Sequence, residues 1–202
     1  MRTNNSNLSN ITHIWVDILM PFLSNYELEI SGSEISRKTN IPQQTVSRVL
    51  DELVSRNFLN FKMIGKNKIF YFDLRNEKTK LLINILENNK SLNFLSNFKN
   101  EAVIISEILK FSESIIIFGS YSSFSNSKNS DLDIVIFGKY DNSLLKKIKE
   151  RNDIQINEHN LSYAEFIKSL NQNNSLAIEI KNNHTLFGDV SKLVNIFLES
   201  LK

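Results

Sequence analysis

A glycine and a serine close one apolar run, and two aspartates one residue apart open the next. This arrangement constrains the chain more than any other feature in it. Ser114-Ile115-Ile116-Ile117-Phe118 leads into Gly119-Ser120, residues 121–130 follow, and Asp131-Leu132-Asp133 runs out through Ile134-Val135-Ile136-Phe137. The pattern predicts a strand, a loop suited to phosphate, and a second strand that carries two carboxylates. Side chains alternate across a strand, so Asp131 and Asp133 share one face while Leu132 and Ile134 enter the core. Two acids so close repel each other, and a hard divalent cation with oxygen ligands is the usual reason to keep both ionised. Gly119 lets the backbone approach a phosphate, and Ser120 adds a hydroxyl and the amide groups of a helix start. The plainer alternative is a buried hairpin whose acids are only solvated.

These residues resemble the signature of the DNA polymerase beta nucleotidyltransferase superfamily: Gly-Ser, about ten residues, then Asp-x-Asp. The resemblance implies that Gly119 and Ser120, with Ser130 beside the acids, hold the triphosphate of a nucleotide. It implies also that Asp131 and Asp133 bind magnesium, two ions in an active enzyme, which activate the attacking oxygen and neutralise the leaving pyrophosphate. Most active members carry a further carboxylate on a third strand. Here that strand reads Asp153-Ile154-Gln155-Ile156-Asn157-Glu158. With Ile154 and Ile156 inward, Asp153, Gln155 and Asn157 share the other face, so the expected acid is an amide. Asp153 is the substitute catalytic carboxylate if the strand starts early, or else the cap of the preceding turn. Ser123 and Phe124 stand where small members of the family usually have a basic residue and a glycine.

The N-terminal third follows another pattern. Ile11, Ile14, Trp15, Ile18, Leu19 and Phe22 recur at helical spacing. Leu28-Glu29-Ile30 looks extended, Ser31 or Ser33 caps a second helix, and Pro42 opens a third whose Val46, Val49, Leu50 and Leu53 face inward. Residues 58–64 and 69–74 are strand candidates joined at Gly65-Lys66-Asn67-Lys68. This order resembles a winged helix-turn-helix. The resemblance implies that Gln43, Gln44, Thr45, Ser47 and Arg48 enter the major groove of duplex DNA, with Lys66 and Lys68 of the wing on phosphates. Arg37, Lys38 and Lys62 join the same basic group, and Asp17, Glu27 and Glu29 are expected elsewhere.

The fold expected is therefore α/β (α+β): a winged helix-turn-helix over residues 9–75, a helical connector over 76–96, and a nucleotidyltransferase-like domain with a mixed, helix-flanked sheet over 97–202. Residues 76–110 read as helical throughout. Past Phe137 the pattern gives a helix over 142–151, a strand over 153–159, helices near 163–170 and 175–181, a short piece at 184–188 and a last helix over 190–201. The Asn-rich residues 1–10 read as irregular.

Composition narrows the function. No cysteine occurs in the 202 residues, which excludes disulfides, thiolate metal sites and a cysteine nucleophile. No apolar signal core or run of membrane-spanning length appears, so a soluble, cytoplasmic chain without membrane contact is expected. A formal charge of +2 does not by itself indicate nucleic acid, and the placement of the charges must carry that claim. His13, His159 and His184 lack ligand spacing. Two functions remain. One is magnesium-dependent transfer of a nucleoside monophosphate from a nucleoside triphosphate to a protein or RNA hydroxyl. The other is a DNA-binding regulator or antitoxin whose nucleotidyltransferase domain only senses nucleotide. Either allows a protein partner encoded nearby, a toxin or an acceptor, and a homodimer.

Overall fold

The computed structural model describes residues 11–201, and the expected irregular start lies outside them. The first apolar stripe forms α1 (His13–Leu19), which tightens into a 3₁₀ turn at Met20–Ser24 where Pro21 enters. Trp15, Ile18, Leu19 and Phe22 of this stripe are buried. The extended segment is short, with β1 limited to Ile30–Ser31. Ser31 is the cap of α2 (Gly32–Thr39), its hydroxyl accepting from the Glu34 N–H. Helix α2 ends at left-handed Asn40, and Pro42 caps α3 (Gln43–Ser55) from just outside its first turn. Val46, Val49, Leu50 and Leu53 are all buried, as their spacing requires. The wing is the antiparallel pair β2 (Leu59–Ile64) and β3 (Asn67–Phe72). Gly65 takes φ of 59° at the tip, a conformation glycine adopts without strain. The three strands order as β1-β3-β2.

The long helical stretch is broken. α4 (Glu77–Asn97) and α5 (Lys99–Ile108) meet at Phe98, which leaves helical geometry with φ −119° and ψ 74°. Its ring packs 4.7 Å from Phe94 and 5.3 Å from both Tyr121 and Phe124, so aromatic packing offsets the broken helix.

A second sheet follows, in the order β6-β5-β4-β7. Strands β4 (Ser114–Phe118), β5 (Leu132–Phe137) and β7 (His184–Gly188) are antiparallel neighbours. The edge strand β6 (Ile156–Asn160) runs parallel to β5, reached through α7 (Asn142–Arg151). Between β4 and β5 stands the single turn α6 (Gly119–Ser122), and α8 (Tyr163–Gln172), α9 (Ser175–Asn182) and α10 (Val190–Glu199) complete the chain. The protein is thus a mixed α/β fold with a winged helix at its N-terminal end.

The faces of the second sheet have different neighbours. Ile115, Ile117, Ile134 and Ile136 pack with Ile104 and Ile108 of α5 and with Leu145 and Ile148 of α7. On the other face Ile116, Val135, Phe137 and Leu186 join a core that continues through Leu82 and Leu86 of α4 to Phe22, Leu50 and Phe72. The apolar interior therefore runs unbroken from the winged helix into the second sheet.

Candidate active site and winged-helix surface

The two acids converge. Asp133 lies within β5 and Asp131 immediately before it, anchored by the Leu132 N–H donating to the Gln155 carbonyl at 2.8 Å. Both are half-buried, while Leu132 and Ile134 are fully inside. Across the parallel pair, Asp133 stands in register with Asn157. The Asn157 amide nitrogen donates to Asp131 Oδ2 at 3.1 Å and to Asp133 Oδ1 at 3.2 Å. One amide group thus holds both carboxylates on one face.

Gly119 completes the corner. Its φ is 68°, and a Cβ built there would lie 2.6 Å from Asp133 Oδ2. The start of α6 therefore presses against the acid pair, an approach only glycine permits. Ser120 follows, half-buried, and its carbonyl accepts from the Ser125 N–H at 3.0 Å and Ser123 Oγ at 3.1 Å, which closes the turn. Tyr121 is buried beneath it; burial, then the Glu101 carboxylate, push its phenol up to about 12.

Two expected members take other places. Ser130 Oγ accepts from the Ser127 N–H at 2.8 Å, so it shapes the loop rather than pointing to the acids. Asp153 does not share the strand face, because β6 starts only at Ile156. It is exposed in the bend before the strand and lines an open cleft with Asp133, Asn157 and His159. Glu158 faces away, paired with Lys149.

The donor set suits a hard cation, with one qualification visible in the contacts. Asp131 and Asp133 supply carboxylate oxygens, and the Asn157 amide, rotated, presents Oδ1 where its nitrogen now donates. Among the described residues no third Asp, Glu, His or Cys joins them. These residues fit one magnesium ion, with nucleotide phosphate and water needed to complete its shell.

On the winged helix, Gln43, Gln44, Ser47 and Arg48 are exposed along α3 and Thr45 is half-buried. Lys66 is exposed at the wing tip. Lys68 instead lies in β3, bound to Asp51 of α3 at 2.8 Å and seated 5.0 Å over the Phe61 ring. Lys62 pairs with Glu29, so that acid lies within the basic group rather than apart from it. Phe61, Met63 and Ile64 leave apolar surface exposed on β2. No sequence pattern marked Asn183, whose side chain reaches Ser122 and the Gly119 carbonyl of the α6 turn. It sits in a chain rich in asparagine and has no motif of its own.

Residues 102–198 match the family described as the nucleotidyltransferase domain, and residues 34–73 match the TBPIP/Hop2 winged helix domain. No curated protein and no solved structure matches the chain. The acid pair and the Gly119-Ser120 turn lie inside the first match, and α3 and the wing inside the second, so the chain carries a nucleotidyltransferase domain behind a winged helix domain.

Proposed function

We propose that the chain is a magnesium-dependent nucleotidyltransferase that moves a nucleoside monophosphate from a nucleoside triphosphate to a hydroxyl on a protein or RNA. Its winged helix binds duplex DNA. The observation that carries this reading is the contact between Gly119 and Asp133, which sets a phosphate-binding turn against a carboxylate pair. Residues 9–75 act as the DNA-binding part, 76–96 as the connector and 97–202 as the catalytic part, in the cytoplasm.

Each residue has a task. Gly119 and Ser120 seat the triphosphate, with Ser130 keeping the loop closed over it. Asp131, Asp133 and the turned Asn157 amide would hold the metal. When bound, magnesium supplies the positive charge that offsets the departing pyrophosphate and favours ionisation of the acceptor. The acceptor enters by the open cleft on the β6 side. Its oxygen bonds to the α-phosphorus as the bond to the pyrophosphate oxygen breaks, and its proton passes to water or to Asp153, the exposed carboxylate of that cleft.

On DNA, Gln43, Gln44, Thr45, Ser47 and Arg48 read bases and Lys66 contacts phosphate; Lys68 adds charge while tied to Asp51. A homodimer would read an inverted repeat. A second reading, a regulator or antitoxin whose domain senses nucleotide with little turnover, is favoured by Asn157, since an amide cannot serve as a base.

The test uses ATP, CTP, GTP and UTP labelled at the α-phosphate, with magnesium, with and without the protein encoded beside this one. Label on a protein or RNA that disappears in D131N/D133N supports transfer. Nucleotide binding without label supports the sensor. Absence of magnesium-dependent binding rejects both.

A further inference from the structure

A buried row of polar groups links the N-terminal region to the phosphate turn, and neither metal binding nor DNA contact uses it. Tyr26, in the segment before β1, donates to Glu87 Oε1 of α4 at 2.7 Å. His184, first residue of β7, meets the same oxygen at 3.1 Å. Glu87 is fully buried, and its other oxygen has no partner among the described residues. Burial alone would push the Glu87 carboxyl up, but His184 and Lys90 outweigh it and hold the group below the usual carboxylate range. Lys90, nearly one turn further along α4, donates to the His184 carbonyl and lies 3.4 Å from the Asn183 side chain.

Asn183 makes the last link. With its oxygen facing the Ser123 N–H it accepts at 2.9 Å, and its nitrogen donates to the Ser122 carbonyl at 3.2 Å and Ser122 Oγ at 3.1 Å. With the amide reversed, the nitrogen reaches the Gly119 carbonyl at 3.4 Å and the oxygen accepts from Ser122 Oγ at 3.1 Å. Both orientations tie the same turn; Lys90 bonds the Asn183 oxygen only in the second, and in the first its support reaches Asn183 through the neighbouring His184 carbonyl. Ser122 Oγ lies a further 3.2 Å from Thr185 Oγ1 of β7.

Burying charge here is costly, and a fold that needed only stability would do as well with apolar side chains of similar volume. What these groups add is directional control over where the turn sits. We propose that Asn183 is a positioning residue for the triphosphate-binding turn, and that Lys90, Glu87 and His184 carry its support back to Tyr26, so the turn keeps its shape through a contact made by the N-terminal region. Two of the phosphate-binding groups, Gly119 and Ser120, lie at one end of that turn, and Asn183 fixes the other.

The proposal rests on the reading of Gly119-Ser120 as a nucleotide site, and the test separates the two. Magnesium-ATP affinity is measured by titration calorimetry on the full chain, wild type, Asn183→Ala and Tyr26→Phe, with melting temperature and DNA affinity followed in parallel. Tyr26→Phe keeps the ring that packs on His184 and Phe197 and removes only the hydroxyl. Asn183→Ala, which removes direct bonds to the turn, is expected to weaken nucleotide binding about tenfold, and Tyr26→Phe, which acts on the turn only through Glu87, His184 and Lys90, about threefold. DNA affinity should stay at the wild-type value, and the Ser123 amide proton resonance should shift in both variants. A purely structural role would lower melting temperature and leave nucleotide affinity unchanged. Wild-type nucleotide affinity in either variant overturns the proposal while leaving the nucleotide site standing. Failure of the wild-type chain to bind magnesium with any of the four nucleotides overturns the site and the proposal together.

Discussion

Asp133 and Asn157 face each other across the parallel strands β5 and β6, and their side chains meet at 3.2 Å. The amide shares itself with Asp131, so a single donor group bridges the two half-buried acids. A carboxylate at the same point would complete an all-oxygen cage but would add a third negative charge to a half-buried corner.

Asn157→Asp should therefore separate chemistry from stability. We expect magnesium-dependent transfer to rise by about 10²-fold, the lower part of the range ascribed to a general base. In the absence of divalent cation the variant should melt below the wild type, and magnesium should restore the difference. Initial rates of label transfer and thermal melts with and without magnesium measure the two effects.

Gly119→Ala should be more damaging than its size suggests. A Cβ would sit 2.6 Å from Asp133 Oδ2, and φ of 68° is strained for any other residue. Strain of this kind costs about 1–3 kcal/mol. Urea denaturation should show that loss, and magnesium-nucleotide binding should fall below detection.

Arg48→Ala should cost about 1–3 kcal/mol of DNA affinity and relax sequence preference, as a base-reading arginine does. Lys66→Ala should lower the slope of log affinity against log salt by about 1 with little change in preference. Lys68→Ala should change that slope less, because its ammonium already faces Asp51 at 2.8 Å. Fluorescence anisotropy over a salt series distinguishes the three.

Alkali should unfold the chain through its tyrosines. Burial and the Glu101 carboxylate raise Tyr121 from 10.0 to about 12, and burial with Glu87 raises Tyr26 well above the usual phenol value. A group raised in the folded state contributes stability that is whole below its unfolded value and is lost as pH climbs through the folded one. For Tyr121 the stability should thus be intact below pH 10 and decline as pH rises towards 12. Urea midpoints across this interval should fall in the wild type, and the decline should be shallower in Tyr121→Phe.

Much of this architecture was legible because its signals are local. The stripe of Val46, Val49, Leu50 and Leu53 follows from helical spacing alone, and Asp131 and Asp133 share a face because strands alternate. That the third strand offers an amide was also readable, since Ile154 and Ile156 set the phase that turns Gln155 and Asn157 to the other face; that Asn157 is the one at the acids follows from the register of β6 against β5. Features decided by distant partners were not readable. Phe98 ends α4 because Tyr121 and Phe124 offer ring contacts from across the fold. Asp153 misses the strand face because the bend before Ile156 delays pairing. Lys68 and Lys62 look free in sequence, yet Asp51 and Glu29 neutralise them from other elements. Glu87 lies on a stretch that reads only as helical, yet it is buried where Tyr26, His184 and Lys90 surround it, while Leu81 and Ile85 of the same helix stay exposed.

The unbroken interior has a consequence for how such a chain can change over time. α4 presents Leu82 and Leu86 to a core that takes in both the first helices and β7 with α10, so it has no idle flank where the chain could be parted. Cutting before α4 would strip Phe22, Leu50 and Phe72 of cover, and cutting after it would bare Leu186 and Leu193. Either fragment would be prone to clump. The winged helix and the second sheet therefore share one interior, and a recombination that grafted this winged helix onto another domain would have to carry α4 and replace the surface it covers.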